Sequence, residues 1–157
     1  MKKIGTLLLC LFLLLPQVVY AQTAETQTEE IQLRFEGKTI ACRPISLTET
    51  GDGFYTLILH IEGQEAFAKS QKYQTMSPIY ACILSEEGDP LMPRQLGWSQ
   101  EVPDCCYFRY EEEVMPESLM LIPIDAVSDS GRWETLTVAD IPTETPEAYQ
   151  YPEGTWE

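Results

Sequence analysis

The strongest structural signal in this chain is the segment ISLTETGDGFYTLILHI at positions 45–61. Two apolar runs, Ile45–Thr48 and Phe54–Ile61, flank a Thr-Gly-Asp-Gly sequence whose glycines permit the positive φ angles of a tight reversal. In the second run Leu57, Leu59 and Ile61 fall on one face, because side chains alternate along a strand with a period of two. The segment therefore predicts a β-hairpin with one apolar face.

The remainder of the chain from position 31 to 138 has the same texture of short apolar runs separated by Gly, Pro and Asp. The further predicted strands cover 31–36, 39–43, 78–84, 105–110, 119–124 and 132–138, with 91–98 as an edge strand or loop. Residues 65–72 alone have helical texture, and they predict either a crossover helix of one or two turns or a loop. Seven or eight short strands without repeating helices predict an all-β fold, an antiparallel β-sandwich that is immunoglobulin-like in the loose sense, with an open barrel as the alternative.

The first 21 residues have the composition of a secretory signal peptide. A basic start at Lys2 and Lys3 precedes an apolar run from Ile4 to Leu15, and Ala21 is the small residue at the predicted cleavage site. The run is shorter than the ~20 residues that a membrane-spanning helix needs, and no second apolar run follows. We therefore expect an exported protein, periplasmic or extracellular, whose mature chain does not insert into a membrane.

The flanks of the predicted domain differ in composition from the domain itself, which we place at residues 31–140. Residues 22–30 lack large apolar side chains and predict a flexible leader. Residues 141–157 form an acidic tail with Pro142, Pro146 and Pro152, which cannot donate hydrogen bonds to a sheet. The pattern favours a solvated tail over one that is docked along a sheet edge.

The charge of the chain excludes some classes of partner. Acidic residues number 25 against 10 lysines and arginines, so the formal net charge is −15. Such a surface repels nucleic acid and anionic membranes. It can attract cationic proteins or peptides.

Four cysteines remain after the predicted signal peptide: Cys42, Cys82, Cys105 and Cys106. Exported domains with an even number of cysteines usually form disulfides, so we expect one bridge, Cys42–Cys82 or Cys82–Cys106. The adjacent residues Cys105 and Cys106 should point to opposite faces of a strand. Four reduced and buried thiols are the alternative.

Three features together resemble a known group of proteins. They are the Met1-Lys2-Lys3 start, the Gly-Asp-Gly hairpin leading into Phe54–Leu59, and the segment EVMPES at 113–118 before LMLIP at 119–123. The chain resembles small exported immunoglobulin-like domains of unknown function from Bacteroidota. The resemblance implies a fold and a compartment, and it carries no activity, cofactor or site residue with it.

Candidate catalytic groups are few. A serine or cysteine protease needs a histidine beside its nucleophile, and the single histidine, His60, lies within a predicted strand without a glycine-rich nucleophile turn. Glu111 and Glu113 would share one face at a strand end, which is the minimum for a carboxylate-based glycan hydrolase. We expect no cofactor and no catalytic residue, and we keep the hydrolase as an alternative.

Candidate ligand-binding residues are of two kinds. Glu86, Glu87 and Asp89 form an oxygen-rich turn that is a weak calcium candidate, as do Asp125 and Asp129, although the spacing of a calcium-binding loop is absent. Aromatic side chains are the second kind, and they form either a platform for a glycan or peptide or a lid that closes the core. These aromatic residues are Trp98, Trp133, Tyr149, Tyr151 and Trp156.

The sequence as a whole predicts a non-enzymatic binding or interaction module of the cell envelope. Its partner would be an envelope protein or glycan and not nucleic acid, and the acidic surface favours a cationic partner. Two alternatives remain open: the glycan hydrolase, and an inhibitor of a cationic protein or peptide.

Overall fold

A computed structural model describes residues 28–51, 53–70, 77–99 and 101–150. The predicted signal peptide (1–21), most of the predicted leader, and Tyr151 and Trp156 lie outside the described residues. Within them, nine strands follow in chain order. They are β1 (Ile31–Phe35), β2 (Lys38–Thr50), β3 (Phe54–Ile61), β4 (Ile79–Leu84), β5 (Pro90–Leu91), β6 (Gln95–Trp98), β7 (Cys105–Tyr110), β8 (Ser118–Pro123) and β9 (Glu134–Thr137).

The strands form two antiparallel sheets. The five-stranded sheet has the order β1-β2-β3-β7-β6, and the four-stranded sheet has the order β5-β4-β8-β9. One short helix, α1 (Gln64–Ser70), follows β3, and single 3₁₀ turns connect or follow the last strands. This arrangement confirms the all-β, antiparallel sandwich.

The hairpin at 45–61 forms as predicted, with Thr50 opposite Phe54 and Leu47 opposite Leu57. The predicted strand at 39–43 and the first arm of the hairpin are a single long strand, β2, whose register shifts between Pro44 and Ser46. A proline cannot donate a ladder hydrogen bond, so the chain accommodates it with a bulge instead of ending the strand.

The region from 91 to 98 was expected to be one edge strand or a loop, and it is divided between the two sheets. β5 pairs with β4 in the four-stranded sheet, and β6 pairs with β7 in the five-stranded sheet. Pro93 lies between them, where its fixed φ and missing N–H prevent continuous pairing. This crossing, together with the two-residue β5, brings the strand count to nine.

The main core lies between the sheets and takes alternate residues from both. Leu57, Leu59 and Ile61 of β3 pack there with Ala81 of β4 and Leu121 of β8, all fully buried. A second, smaller cluster lies on the outer face of the five-stranded sheet and is formed by Ile45, Ile58, Cys105 and Tyr107.

Residues 141–150 lie against β2, where the sequence favoured a solvated tail. The Leu47 N–H donates to the Pro142 carbonyl at 2.8 Å, and the Ser46 and Thr145 hydroxyls are 2.7 Å apart. Ile141 belongs to the main core, and Tyr149 packs on the second cluster. The bulge in β2 leaves polar groups that pair with this segment. The prolines of the segment do not prevent this pairing, because Pro142 accepts the backbone hydrogen bond through its carbonyl oxygen.

No helix among the described residues has the length and apolar character needed to span a membrane.

Candidate functional site

An open groove of about 230 Å³ lies where the end of β7 meets the β4–β5 hairpin. Its apolar lining comes from Ile83, Leu91 and Met92, with the ring of Tyr110 beside them. Its charged lining comes from Arg94, Glu111 and Glu112. The groove therefore combines an apolar surface with carboxylates.

The local sequence explains why the apolar side chains here remain accessible. The turn after β4 closes through Ser85, whose N–H donates to the Asp89 carbonyl at 2.8 Å. The following strand, β5, ends after two residues, and no strand pairs on its other side within the described residues. As a result Leu91 is 48% exposed and Met92 is 56% exposed, although both side chains are large and apolar.

The charge around the groove is predominantly negative. Glu111 and Glu112 follow directly on β7, and the turn of the β4–β5 hairpin carries Glu86, Glu87 and Asp89. Arg94 lies 3.7 Å from the Glu111 carboxylate, measured from Nε to Oε2, and both side chains are largely exposed. An exposed pair of this kind contributes little free energy and can exchange partners.

Tyr110 makes the base of the groove rigid. Its hydroxyl donates a 2.7 Å hydrogen bond to the carbonyl of Ala81, which ties β7 of one sheet to β4 of the other. The side chain is buried, and desolvation raises the pKa of Tyr110 well above its usual value. The phenol therefore stays neutral and acts as a structural donor.

The two carboxylates of the hydrolase alternative are placed differently with respect to the groove. Glu111 and Glu112 line it, whereas Glu113 is not among its lining residues. The carboxylate pair at the groove is thus made of adjacent residues, which differs from the spacing on which the sequence argument rested.

The expected disulfide is absent, and this corrects the sequence analysis: Cys42, Cys82, Cys105 and Cys106 are all buried free thiols. Cys42 on β2 and Cys106 on β7 face the main core, but β3 lies between their strands. Strands two apart are separated by about 9.5 Å, beyond the Cα distance that a disulfide spans.

Cys82 does not face the core that the other two share. It alternates on β4 with Ala81, which packs in the main core, so its side chain points to the outer face of the four-stranded sheet. Its thiol donates to the sulfur of Met92 at 3.8 Å. The sequence predicted an inward Cys82 because every residue of β4 is apolar, and apolar residues on both faces conceal which face is the core.

The prediction that Cys105 and Cys106 face opposite ways is confirmed, since Cys106 belongs to the main core and Cys105 to the outer cluster. Cys105 lies opposite His60 in the β3–β7 register. Burial, with Asp104 adding to it and Arg43 opposing it, raises the pKa of Cys105 to about 12. An activated cysteine needs a lowered pKa, so this thiol is not a nucleophile at neutral pH.

The described aromatic candidates make separate contacts. Trp98 packs against the main core, whereas Tyr149 packs on the outer cluster and accepts a 3.1 Å hydrogen bond from Arg43. Trp98 and Tyr149 are therefore on opposite faces of the five-stranded sheet. The indole N–H of Trp133 donates to the Ala126 carbonyl at 2.8 Å, near the other sheet. The structure does not bring these three residues onto one binding surface.

Hydrogen bonds within the chain hold both of the oxygen-rich turns that the sequence offered as calcium candidates. Asp125 accepts hydrogen bonds from Arg132 at 3.0 Å and from the backbone N–H of Glu36 at 3.0 Å. In the turn with Glu86, Glu87 and Asp89, the Ser85 hydroxyl accepts from the Asp89 N–H. Over the part of the chain that the structure describes, no three His, Cys, Asp or Glu side chains are grouped closely enough to hold a metal ion.

Comparison with models of protein families, with curated proteins and with solved structures found no match for this chain. Its fold and its groove therefore have to be interpreted from their own geometry.

The groove itself was not predicted from the sequence. Leu91, Met92 and Arg94 were interpreted as parts of an edge strand or loop, and no binding role was given to them. The available signal was two prolines, Pro90 and Pro93, flanking two large apolar residues, which indicates apolar side chains on a strand too short to be covered.

Proposed function

We propose that this protein is an exported, non-enzymatic binding module whose groove holds a cationic segment of a partner protein. The segment would carry one large apolar side chain flanked by lysine or arginine. The observation that carries the proposal is the juxtaposition of exposed Leu91 and Met92 with Glu111 and Glu112 in one open groove.

The apolar part of the groove supports an anchor side chain. Large apolar residues exposed side by side favour a binding surface, because covering them removes apolar area from water. A cavity of about 230 Å³ accommodates a side chain or two, and it is smaller than the sites that enclose whole small-molecule ligands. A short peptide segment is thus a better fit than a free metabolite.

The charged part supports a cationic partner. Glu111 and Glu112 line the groove, and the nearby turn adds three more carboxylates, while Arg94 is the one cation in the lining. An incoming arginine or lysine can replace Arg94 beside Glu111 at small cost, because that pair is long and exposed. The net charge of −15 would accelerate the encounter.

The test uses a labelled heptapeptide with one large apolar side chain, Lys-Lys-Ala-Leu-Ala-Lys-Lys, and a matched peptide in which glutamate replaces every lysine. We expect fluorescence anisotropy to show binding of the cationic peptide alone, and the affinity to fall as the salt concentration rises. The variant Glu112→Gln should weaken binding by about two- to fivefold, which corresponds to the worth of one exposed ion pair.

The control variant is Glu134→Gln, which removes the same charge from β9 at the opposite edge of the four-stranded sheet. It should leave binding nearly unchanged, whereas Leu91→Ser should weaken it. Equal effects of the two glutamate variants would show attraction to net charge alone and would refute binding in the groove. Equal binding of both peptides would refute the cationic partner.

A further inference from the structure

The outer face of the four-stranded sheet carries three sulfur-bearing side chains in one row across the strands. Cys82 of β4 lies directly opposite Met120 of β8. On the other side, β5 ends at Leu91, which lies opposite Ile83, and Met92 follows it in the chain with its sulfur beside Cys82. The sulfur row is therefore Met92, Cys82 and Met120, with the cysteine at its centre.

The sulfur atoms of Cys82 and Met92 contact each other, whereas the Met120 sulfur is turned toward β9. The sulfur atoms of Cys82 and Met92 are 3.8 Å apart. Directly opposed residues of an antiparallel pair have Cβ atoms about 5 Å apart, so a rotation of the Met120 side chain would bring its thioether to Cys82. Thr135, the partner of Met120 on β9, donates its hydroxyl to the Met120 sulfur at 3.7 Å and so ends the row.

We propose that the sulfur row is a binding site for a soft monovalent metal ion, Cu(I), with one thiolate ligand from Cys82 and thioether ligands from Met92 and Met120. Thiolate and thioether groups are the ligands that select Cu(I) among the common biological metals. The site shares Met92 with the peptide groove, whereas its other two ligands, Cys82 and Met120, are not among the residues that line the groove.

The sulfur spacing fits two ligands of one ion. Two sulfur atoms that are each about 2.3 Å from a metal and 3.8 Å from each other subtend an angle of about 110° at it. That angle lies in the range of tetrahedral to trigonal coordination. To complete a three-sulfur site, the Met120 side chain has to rotate toward Cys82 and give up the contact of its sulfur with the Thr135 hydroxyl.

The burial of the row fits the charge of the ion. Cys82 is only 1% exposed, so a charge left unbalanced there would be costly. One thiolate and a monovalent ion sum to zero, whereas a divalent ion would leave one positive charge. On binding, the S–H bond of Cys82 breaks, the sulfur–metal bond forms and the proton passes to solvent. Without an ion present the thiol keeps this proton at neutral pH, because burial raises the pKa of Cys82 to about 11.

Access to the site is provided by Met92. Its side chain is 56% exposed and covers Cys82 from a loop between two short edge strands. An ion can first contact this exposed thioether and then reach the thiol behind it. The described part of the chain offers no His, Cys, Asp or Glu cluster that would compete for a harder metal.

The experiment measures how the chain removes Cu(I) from its coloured complex with bicinchoninate under anaerobic, reducing conditions. We expect one equivalent of copper per chain, and X-ray absorption of the product should show sulfur ligands only. Cys82→Ser should abolish this uptake, and Met92→Leu and Met120→Leu should each weaken it by about tenfold or more.

Two control variants remove the same kinds of atoms elsewhere. Met115→Leu changes a methionine that packs against the main core, and Cys105→Ala removes a buried thiol from the five-stranded sheet. Both should bind copper as the unchanged chain does, with circular dichroism confirming that every variant is folded.

No uptake by the unchanged chain would overturn the proposal, and so would equal uptake by Met92→Leu. Met92→Leu alters an exposed side chain, so this arm stays informative even if Cys82→Ser fails to fold. Loss of uptake in Cys105→Ala with retention in Cys82→Ser would place the copper elsewhere and would also overturn it.

Discussion

At the scale of single residues, burial controls the chemistry of the cysteines. Desolvation raises the pKa of Cys42 and of Cys105 to about 12 and that of Cys82 to about 11, from an ordinary value of 9.0. It also raises the pKa of Cys106, which is fully buried. These thiols stay protonated at neutral pH, so in the folded state they are small apolar groups.

The raised pKa values predict alkaline destabilisation. Above pH 9 the unfolded chain releases its thiol protons and the folded chain retains them, so folding stability is fully present below pH 9 and is lost toward pH 11–12. Each thiol contributes up to about 1.4 kcal/mol per pH unit to this loss. Urea unfolding of the reduced protein at several pH values from 7 to 11 measures the slope.

The control for this prediction is Cys105→Ala. It should make the fall of the unfolding free energy with pH shallower by the contribution of one thiol. An identical slope in the variant would contradict the assignment.

A separate measurement checks the redox state: unfolding without reductant should allow an alkylating reagent to modify Cys42, Cys82, Cys105 and Cys106. A mass that shows two of them unmodified would reveal a disulfide that the structure does not contain.

At the scale of elements, two positive-φ residues outside glycine mark contacts between distant segments. Asp104 has φ +59°, and its carboxylate accepts the Glu65 N–H at 3.0 Å in the first turn of α1. Glu36 has φ +48° in the two-residue turn between β1 and β2, and its N–H donates to Asp125. Both strained positions are held by a hydrogen bond from another part of the chain.

The segment from 141 to 150 is the element with the clearest energetic consequence. Ile141 is buried in the main core, so Ile141→Ala should lower the free energy of unfolding by about 2–4 kcal/mol. Truncation after Asp140 should cost at least as much, because it also leaves the Leu47 N–H without its acceptor, Pro142. Thermal or urea unfolding provides both values.

The matched control is Glu147→Gln, an exposed position in the same segment, which should change stability by less than about 0.5 kcal/mol. If truncation after Asp140 left the unfolding midpoint unchanged, the segment would not be part of the folded domain. Protection of 141–150 from proteolysis in the intact chain would agree with docking against β2.

At the scale of the whole molecule, the net charge of −15 opposes the compact state. Carboxylates repel one another over the surface, and ion pairs such as Lys69–Glu65 and Arg94–Glu111 are exposed and contribute little. We therefore expect the unfolding temperature to rise by a few degrees when sodium chloride increases from about 10 to about 200 mM, because the Debye length shortens.

Sucrose at equal osmolarity is the control for this salt effect, since it changes water activity without screening charge. A stability that falls with salt would mean that ion pairs outweigh repulsion. We expect the same salt series to raise the unfolding temperature and to lower the affinity for the cationic peptide. Because the two quantities change in opposite directions, they separate an effect of salt on the fold from an effect on the groove.

Local patterns were sufficient for the fold class and for most strand positions. The hairpin at 45–61 was predictable because glycines at a reversal and a period-two apolar pattern are both encoded within a few residues. The opposite orientation of Cys105 and Cys106 follows from the same period. Local rules were not sufficient for the division of 91–98 between two sheets.

The sequence by itself determined that this chain forms short antiparallel strands and has a strongly acidic surface, because composition and alternation act through near neighbours. Only the tertiary structure decided that Cys82 faces outward beside Met92 and Met120, and that Leu91 and Met92 meet Glu111 and Glu112 in one groove. It also decided that Ile141 enters the core. These contacts join residues far apart in sequence, and they depend on which strands become neighbours and which face each sheet buries, neither of which a local pattern specifies.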